Sequence, residues 1–419
     1  MQAAQAAGRR RLSQGELDMV LTAHERLVAG KPGGRRAVMK FIDFSGADLS
    51  GRILDDADFT GSVFDGCKLM RTRLDRAVLY GCDLRNADLR GASLRRADFR
   101  GVCLRGANLS LADLTQADFR EGAIGVPHPT KGLNTMRHEK RVGELDGVNF
   151  AGATLDGSQL DGSSAWAADF SDCSMRGTKL TGANLKDANM SGAMLEGADI
   201  AGANLEGARL CGAVLTGVNV ESARSMSGSD LTGSIRTVTG DIAAQAETLY
   251  AQALGSQAWC DSGGAKGEPA IFDGQDLRPL TDRLKGFRLP AMRAKGACMV
   301  GLDLSGAQLQ GANFEGADLR GANLRGTDLR GARLAGANLT KANLREAALG
   351  ALPLGPTRTA PVNCDGARLR YADFSGADLS GAVLDNADVV GTNFTGARVS
   401  TASFRGANLS EAQGFDLSA

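Results

Sequence analysis

Few side chains in this sequence are of types and spacings that suggest chemistry. His128 and His138 stand ten residues apart in a segment that also holds Pro127, Lys131, Arg137, Lys140 and Arg141. Imidazoles ligate metals and clustered cations hold phosphate, so the segment could serve either. A zinc site draws its ligands from Cys, His and carboxylates at short, regular spacing, and neither a cysteine nor a carboxylate completes such a pattern here. A basic loop that contacts a partner is the better reading, because recognition residues concentrate in loops held on rigid scaffolds. His24 falls on the apolar side of a helical pattern and is read as packed. Asp98 and Asp118 lie twenty apart and could share a proton, but no nucleophile, metal cluster or cleft accompanies them. They are read as turn residues bonding their own backbone. The run from Gly263 to Gly267, GGAKG, lacks the spacing of a phosphate-binding loop. No catalytic residue, cofactor site or metal site is expected.

The elements that carry these residues follow from a period of five. From Phe44 to Phe119 every fifth residue is apolar; a second run spans Leu145 to Val220, with Ala165 its one weak centre. A third runs from Met299 to Leu349 and resumes in phase from Cys364 to Leu409. Two positions before each centre the residue is small, and two positions after it glycine is frequent. On an α-helix a step of five turns the apolar site by about 140° beyond a full turn. On a strand an odd step flips the face at every repeat. The chain must therefore turn within every unit, with glycine at the corners.

Arg85, Arg90, Arg95, Arg100 and Arg105 each follow a centre, which makes them a basic girdle around one coil; Arg320, Arg325, Arg330 and Arg345 repeat the pattern. A girdle of this kind would bind an acidic protein surface or phosphates. Residues 41–120 hold twelve basic and twelve acidic side chains, so local neutralisation at a solvated exterior is the competing reading. Residues 145–235 hold eleven acidic and five basic residues. Over the chain, 48 basic and 48 acidic residues balance, which argues against nucleic acid as the partner.

The units read ADLRG, ANLSL, ANLEG, ANLRG and ADLSG. They resemble the A(D/N)LxG consensus of the pentapeptide-repeat family over roughly three quarters of the chain. The resemblance implies an all-β solenoid, a right-handed quadrilateral β-helix with four pentapeptides per coil. It also implies that the central Leu or Phe fills the interior. Some members of that family are fluoroquinolone-resistance proteins that resemble DNA in shape and charge and bind type II topoisomerases.

Four segments are expected. Residues 1–40 form a basic segment and capping helix, with a capping box at Ser13 and Glu16 and Leu17, Val20, Leu21, His24, Leu27 and Val28 on one face. Residues 41–235 form a first solenoid with an inserted loop at 125–142. Residues 236–298 form a helix, with Ile242, Ala246, Leu249 and Ala253 on one face, and a linker. Residues 299–419 form a second solenoid. The phase slips between Phe119 and Leu145; taking Ile124 as a centre makes the sixteen residues Val126 to Arg141 extra. The stretch from Leu349 to Cys364 keeps phase and reads as one proline-rich, degenerate coil. The last coil has little sequence after it and is open to self-association. Most of the eight cysteines are read as small core fillers, like Cys67, Cys82 and Cys173, in a reducing cytoplasm. No apolar run approaches the ~20 residues of a membrane span. The expected function is a non-catalytic scaffold or adaptor for an unidentified protein partner, with a DNA-mimicking topoisomerase binder as the alternative.

Overall fold

The computed structural model describes residues 9–128, 132–237 and 240–415. Its repeating unit is one extended step and one turn. Leu94, fully buried, donates its N–H to the carbonyl of Asp113 at 2.7 Å, and the N–H of Asp98 reaches back to Ala77 at 3.0 Å. Between them Ala97 N–H closes a turn onto Leu94 O at 3.1 Å, with Arg96 in the left-handed region at φ 56°. A turn of this kind needs positive φ at its third residue, hence the frequent glycine two positions after each centre. Parallel bridges join residues twenty apart, as in Ser93–Asp113 and Asp98–Asp118. Four five-residue units thus make one coil of a quadrilateral β-helix, with coils stacked at about 4.8 Å.

The chain forms two compact units, Met1–Thr237 and Val238–Ala419, each with its own apolar core. In the first, α1 (Gln14–Val28) starts at a capping box: Ser13 N–H donates to Glu16 at 2.8 Å, and Glu16 N–H donates to Ser13 Oγ at 3.3 Å. Leu17 and Leu21 join the solenoid core. The inward stripe is narrower than the sequence suggests, since Leu27 and Val28 are exposed. Arg52 ties the helix to the first coils through Glu25 at 2.7 Å. Ahead of α1, Arg10 pairs in parallel with Ile42 and so extends the ladder below the first coil.

Two interruptions differ from expectation. Cys103 pairs with Glu144, forty-one residues on rather than twenty, so twenty-one residues are extra and Phe119 and Leu145 are successive centres. Ile124 is no centre: it lies on β1 (Gly122–His128), opposite Glu139 of β2 (Gly132–Arg141), in an antiparallel hairpin. In the second unit Arg333 pairs with Asn363, thirty residues on. The ten extra residues form no coil. They hold a short hairpin of β3 (Leu352–Pro353) and β4 (Thr359–Ala360). Because ten is a multiple of five, the sequence period could not reveal the excursion. A smaller adjustment, the 3₁₀ turn Val220–Ser222, widens one coil to twenty-one residues, as in Asn204–Ser225.

The second unit begins with α2 (Gly240–Ala244) and α3 (Ala246–Asp261). Leu249, Ala253 and Ser256 of α3 are buried, whereas Ile242 sits on the separate short helix. Arg283 lies 3.7 Å over the Tyr250 ring and pairs with Glu247 at 2.6 Å, fastening α3 to the chain below. At the far end Val399, Phe404 and Leu409 are only partly buried, and the rings of Phe394, Phe404 and Phe415 cluster 4.8–5.8 Å apart.

All eight cysteines are free, but only Cys67, Cys82 and Cys173 occupy the small inward position. Cys82 donates its thiol to Phe59 O at 3.1 Å and Cys173 to Phe150 O at 2.8 Å. Burial pushes the Cys82 thiol up to about 12, so it stays protonated. The others are placed elsewhere: Cys103 and Cys298 just before a centre, Cys211 just after one, Cys364 as a centre and Cys260 on α3.

His24 is fully buried and accepts the Ala37 N–H on Nδ1 at 3.0 Å, which leaves its proton on Nε2. Burial holds its pKa below the usual 6.5, against the opposing pull of Asp55, Asp56 and Glu25. A folded pKa below the unfolded one means that this contribution is complete above about pH 6.5 and is lost as pH falls through it. The melting temperature should therefore drop more between pH 7.5 and 5.5 in the native protein than in His24→Phe; equal drops would show that His24 does not couple to folding. The register makes a second prediction. Leu94→Arg buries an unpaired cation and should cost at least ~4 kcal/mol, while Thr115→Arg, outward facing, should stay within about 0.5 kcal/mol. Equal thermal stabilities would overturn the register.

Candidate interaction site

The β1–β2 hairpin leaves the solenoid after Glu121 and folds back along the corner it came from. A Cβ on Gly122 would lie 3.0 Å from the Arg100 carbonyl, so the strand starts in close contact with the coil below. One coil further down, the Tyr80 hydroxyl accepts from Ala123 N–H at 2.6 Å and donates to Ala123 O at 2.8 Å. Arg100 lies 5.3 Å from the centre of the same ring. At the other strand's end Lys140 pairs with Glu121 at 3.1 Å. Tyr80 was invisible to sequence reasoning as an anchor, because its partner is forty-three residues away and is a backbone group.

Of the residues singled out in this segment, Pro127 and His128 fall at the end of β1 and Arg137, His138, Lys140 and Arg141 on β2. Lys131 lies outside the described residues. The pairing sets His138 opposite Gly125 and His128 opposite Gly132, so the two histidines are not cross-strand partners. Among the described residues no cluster of His, Cys, Asp and Glu is arranged to hold a metal ion.

The arginines stand on successive faces, as the period requires, and each is met by carboxylates. Arg85 grips Asp83 at 2.8 and 2.6 Å, Arg90 grips Asp88 at 2.8 and 2.7 Å, and Arg100 grips Asp98 at 2.9 and 2.8 Å. Arg95 lies between Asp75 at 3.3 Å and Asp113 at 3.4 Å, and Arg105 lies 3.2 Å from Glu144. Residues two apart on an extended segment point the same way, so Asp-x-Arg pairs form within one repeat. The second unit repeats this in Arg320–Asp318 at 2.7 Å and Arg330–Asp328 at 2.6 Å, while Arg325 reaches Glu346 at 3.2 Å and Arg345 reaches Asp373 at 3.8 Å. The Arg90 bond holds the Asp88 carboxyl below its usual range.

Asp98 and Asp118 do stack. Each carboxylate accepts a backbone N–H two residues on, from Arg100 and Arg120, both at 3.1 Å. Burial works to raise the Asp118 carboxyl, but its bonds from Arg120 outweigh this and keep it low and ionised, the opposite of a shared-proton dyad. The acidic excess of residues 145–235 forms no single stripe. In the coil register Asp146 and Glu206 share one face, Asp169 and Asp230 the next, Asp156 and Glu196 the third, and Asp161 and Asp199 the fourth.

Repeat side chains that neutralise one another, and one hairpin outside the repeat, define a β-solenoid that displays surface. The chain belongs to the pentapeptide-repeat family, whose members are right-handed quadrilateral β-helices: eight copies of Pentapeptide repeats match across residues 42–121, 144–235, 293–350 and 363–413. Solved structures that resemble it include QnrB1, a plasmid-mediated fluoroquinolone resistance protein (16% identity, 51% of this chain and 96% of that one, TM-score 0.28). Another is HetL of the cyanobacterium Nostoc, a pentapeptide repeat protein involved in heterocyst differentiation regulation (20% identity, 96% and 94% covered, TM-score 0.13). A third is a pentapeptide repeat protein of the Arabidopsis thaliana thylakoid lumen (26% identity, 36% and 68% covered, TM-score 0.15). No curated protein matches the chain. No helix among the described residues is long and apolar enough to cross a membrane.

Tyr80→Phe removes both bonds to Ala123, each worth about 1 kcal/mol. Amide exchange in Gly122–His128 and Gly132–Arg141 should quicken about tenfold or more, while the melting temperature of the solenoid stays put. Unchanged protection would show that the hairpin is held by other contacts.

Proposed function

We propose that this protein is a non-catalytic interaction scaffold of the cytoplasm, with the β1–β2 hairpin as the element that selects its protein partner. One observation carries the reading. The coils repeat one chemistry every twenty residues and their charges are spent on each other, so they discriminate poorly between partners. The inserted segment breaks the pattern and concentrates Pro127, His128, Lys131, Arg137, His138, Lys140 and Arg141 in sequence. The girdle of Arg85, Arg90, Arg95, Arg100 and Arg105 adds a polar surface that can exchange its ion pairs for a partner's carboxylates. In this reading α1 and α3 act as caps that keep open ladder edges from recruiting other chains. The partly buried last coil is the place for self-association.

A second reading, a DNA mimic bound to a type II topoisomerase, draws on the acidic excess of residues 145–235. The spread of those carboxylates over four faces weighs against it.

The test follows from the observed register. Removing Gly122 to Val142 joins Glu121 to Gly143 and restores a five-residue step from Phe119 to Leu145. The shortened protein should keep its melting temperature, since each coil contacts mainly its neighbours. Its affinity for a partner captured with the full chain should fall at least tenfold, about 1.4 kcal/mol. Undiminished affinity would move recognition to the solenoid faces. No inhibition of gyrase supercoiling is expected at about micromolar protein; inhibition relieved by Glu196→Gln and Glu206→Gln would favour the mimic.

A further inference from the structure

The repeat Ser163–Ala167 departs from its neighbours in two ways at once. Its centre is Ala165, between the large centres Leu160 and Phe170. Its outward residue is Trp166, 50% exposed, on a face whose corresponding positions hold Asp65, Arg85, Arg105, Asp146, Lys186 and Glu206. The fold asks for none of this. The next centre in the same coil, Phe170, stacks on Phe150 at 4.9 Å, and the indole points away from that core. One of only two tryptophans in the chain is spent on the outside.

The indole is also held. Its Nε1–H donates to Asp187 Oδ2 at 3.2 Å, one coil above, and its backbone N–H donates to Asp146 Oδ1 at 3.0 Å, one coil below. A Cβ on Gly207 (φ 67°) would lie 2.3 Å from Asp187 Oδ1, so glycine there leaves room for the carboxylate that fixes the ring. A rigid aromatic presented at low entropic cost is what binding hot spots use.

The surroundings decide what it would bind. Asp187 makes no ion pair among the described residues. Asp146 and Glu144 share one guanidinium, Arg105, at 3.7 and 3.2 Å. Lys186 pairs with Glu206 at 2.9 Å and is also attracted by Asp187, so four carboxylates here, Glu144, Asp146, Asp187 and Glu206, meet two cations. The ring thus sits in a local excess of negative charge, which repels phosphates and carboxylates. Over an indole face a cation is attracted, more so with carboxylates beside it.

We propose that Trp166, flanked by Asp146 and Asp187, docks a lysine- or arginine-bearing segment of a partner protein, the cation seated on the indole. This rests on the scaffold reading but uses a surface outside the hairpin. The test uses the full chain and an eight-residue peptide of alternating lysine and glycine, followed by tryptophan fluorescence and calorimetry, with the glutamate–glycine peptide as control. The lysine peptide should perturb the fluorescence and bind more weakly as salt rises from about 50 to 300 mM. Trp166→Ala should weaken binding at least tenfold and Asp187→Asn several-fold, with melting temperatures unchanged because both side chains lie outside the core. The glutamate peptide should not bind. No binding of the lysine peptide, or equal binding to Trp166→Ala, overturns the proposal. Either result leaves the hairpin reading to be judged by its own deletion variant.

Discussion

Everything in this molecule depends on a backbone that must turn after every five residues and still complete its hydrogen bonds. Centres inside the stack, such as Leu94 and Leu319, donate to the coil above, and the residue before each donates to the coil below, at 2.7–2.9 Å in these two. No coil stands alone, because half of its ladder belongs to its neighbours. The corner allows little variation: where glycine is absent, residues such as Asp56, Arg76, Arg96 and Gln116 are forced to φ 56–63°. Those four stack at one corner and tie themselves together, Arg76 to Asp56 at 2.8 and 2.7 Å and Arg96 to Gln116 at 2.8 Å.

A turn that tight leaves a narrow interior. One Leu, Met or Phe per face fills most of it, and the second inward position usually holds a small side chain, although Met292 and Leu302 are buried there. Where that position is polar, the group bonds a carbonyl, either of the coil below, as Ser62 does to Met39 O at 2.8 Å and Thr178 to Leu155 O at 2.9 Å, or of the preceding centre, as Ser163 does to Leu160 O at 2.7 Å. The exterior is equally self-contained. Asp-x-Arg pairs close within a repeat, and amide ladders such as Asp303–Asn323–Asn343 run between coils at 3.0 and 3.2 Å. Such surfaces stabilise the stack and leave little charge for recognition, which is why the departures from the repeat carry the functional argument.

The departures share a physical logic. A solenoid tolerates an insertion at a corner because the ladder on either side closes beneath it. The twenty-one-residue hairpin after Phe119, the ten-residue one after Leu349 and the single extra residue near Val220 all sit between intact coils. The Ser163–Ala167 repeat is a departure without insertion, in which an inward residue is small and an outward one large. Ala165 already stood out in the sequence as the weak centre, so a signal pointing at Trp166 was available.

The five-residue period determined which side chains are interior, because no regular element but a turning one keeps every fifth residue on the inside; four units to a coil, and with it the placing of Arg85 to Arg105 around one, came from the resemblance of the units to A(D/N)LxG. The Ser13–Glu16 motif placed the capping box, and the helical spacing after it placed the buried histidine in α1. What the sequence could not decide were contacts made across coils. The phase slip between Phe119 and Leu145 announces an insertion without saying where the chain leaves the ladder. The in-phase excursion after Leu349 hides completely, since a period detects only remainders. Where Arg95, Arg105 and Arg325 find their carboxylates turns on neighbouring coils, and whether the hairpin is anchored turns on one hydroxyl, Tyr80, meeting a backbone group forty-three residues away. Those are distances in space, and only the folded stack supplies them.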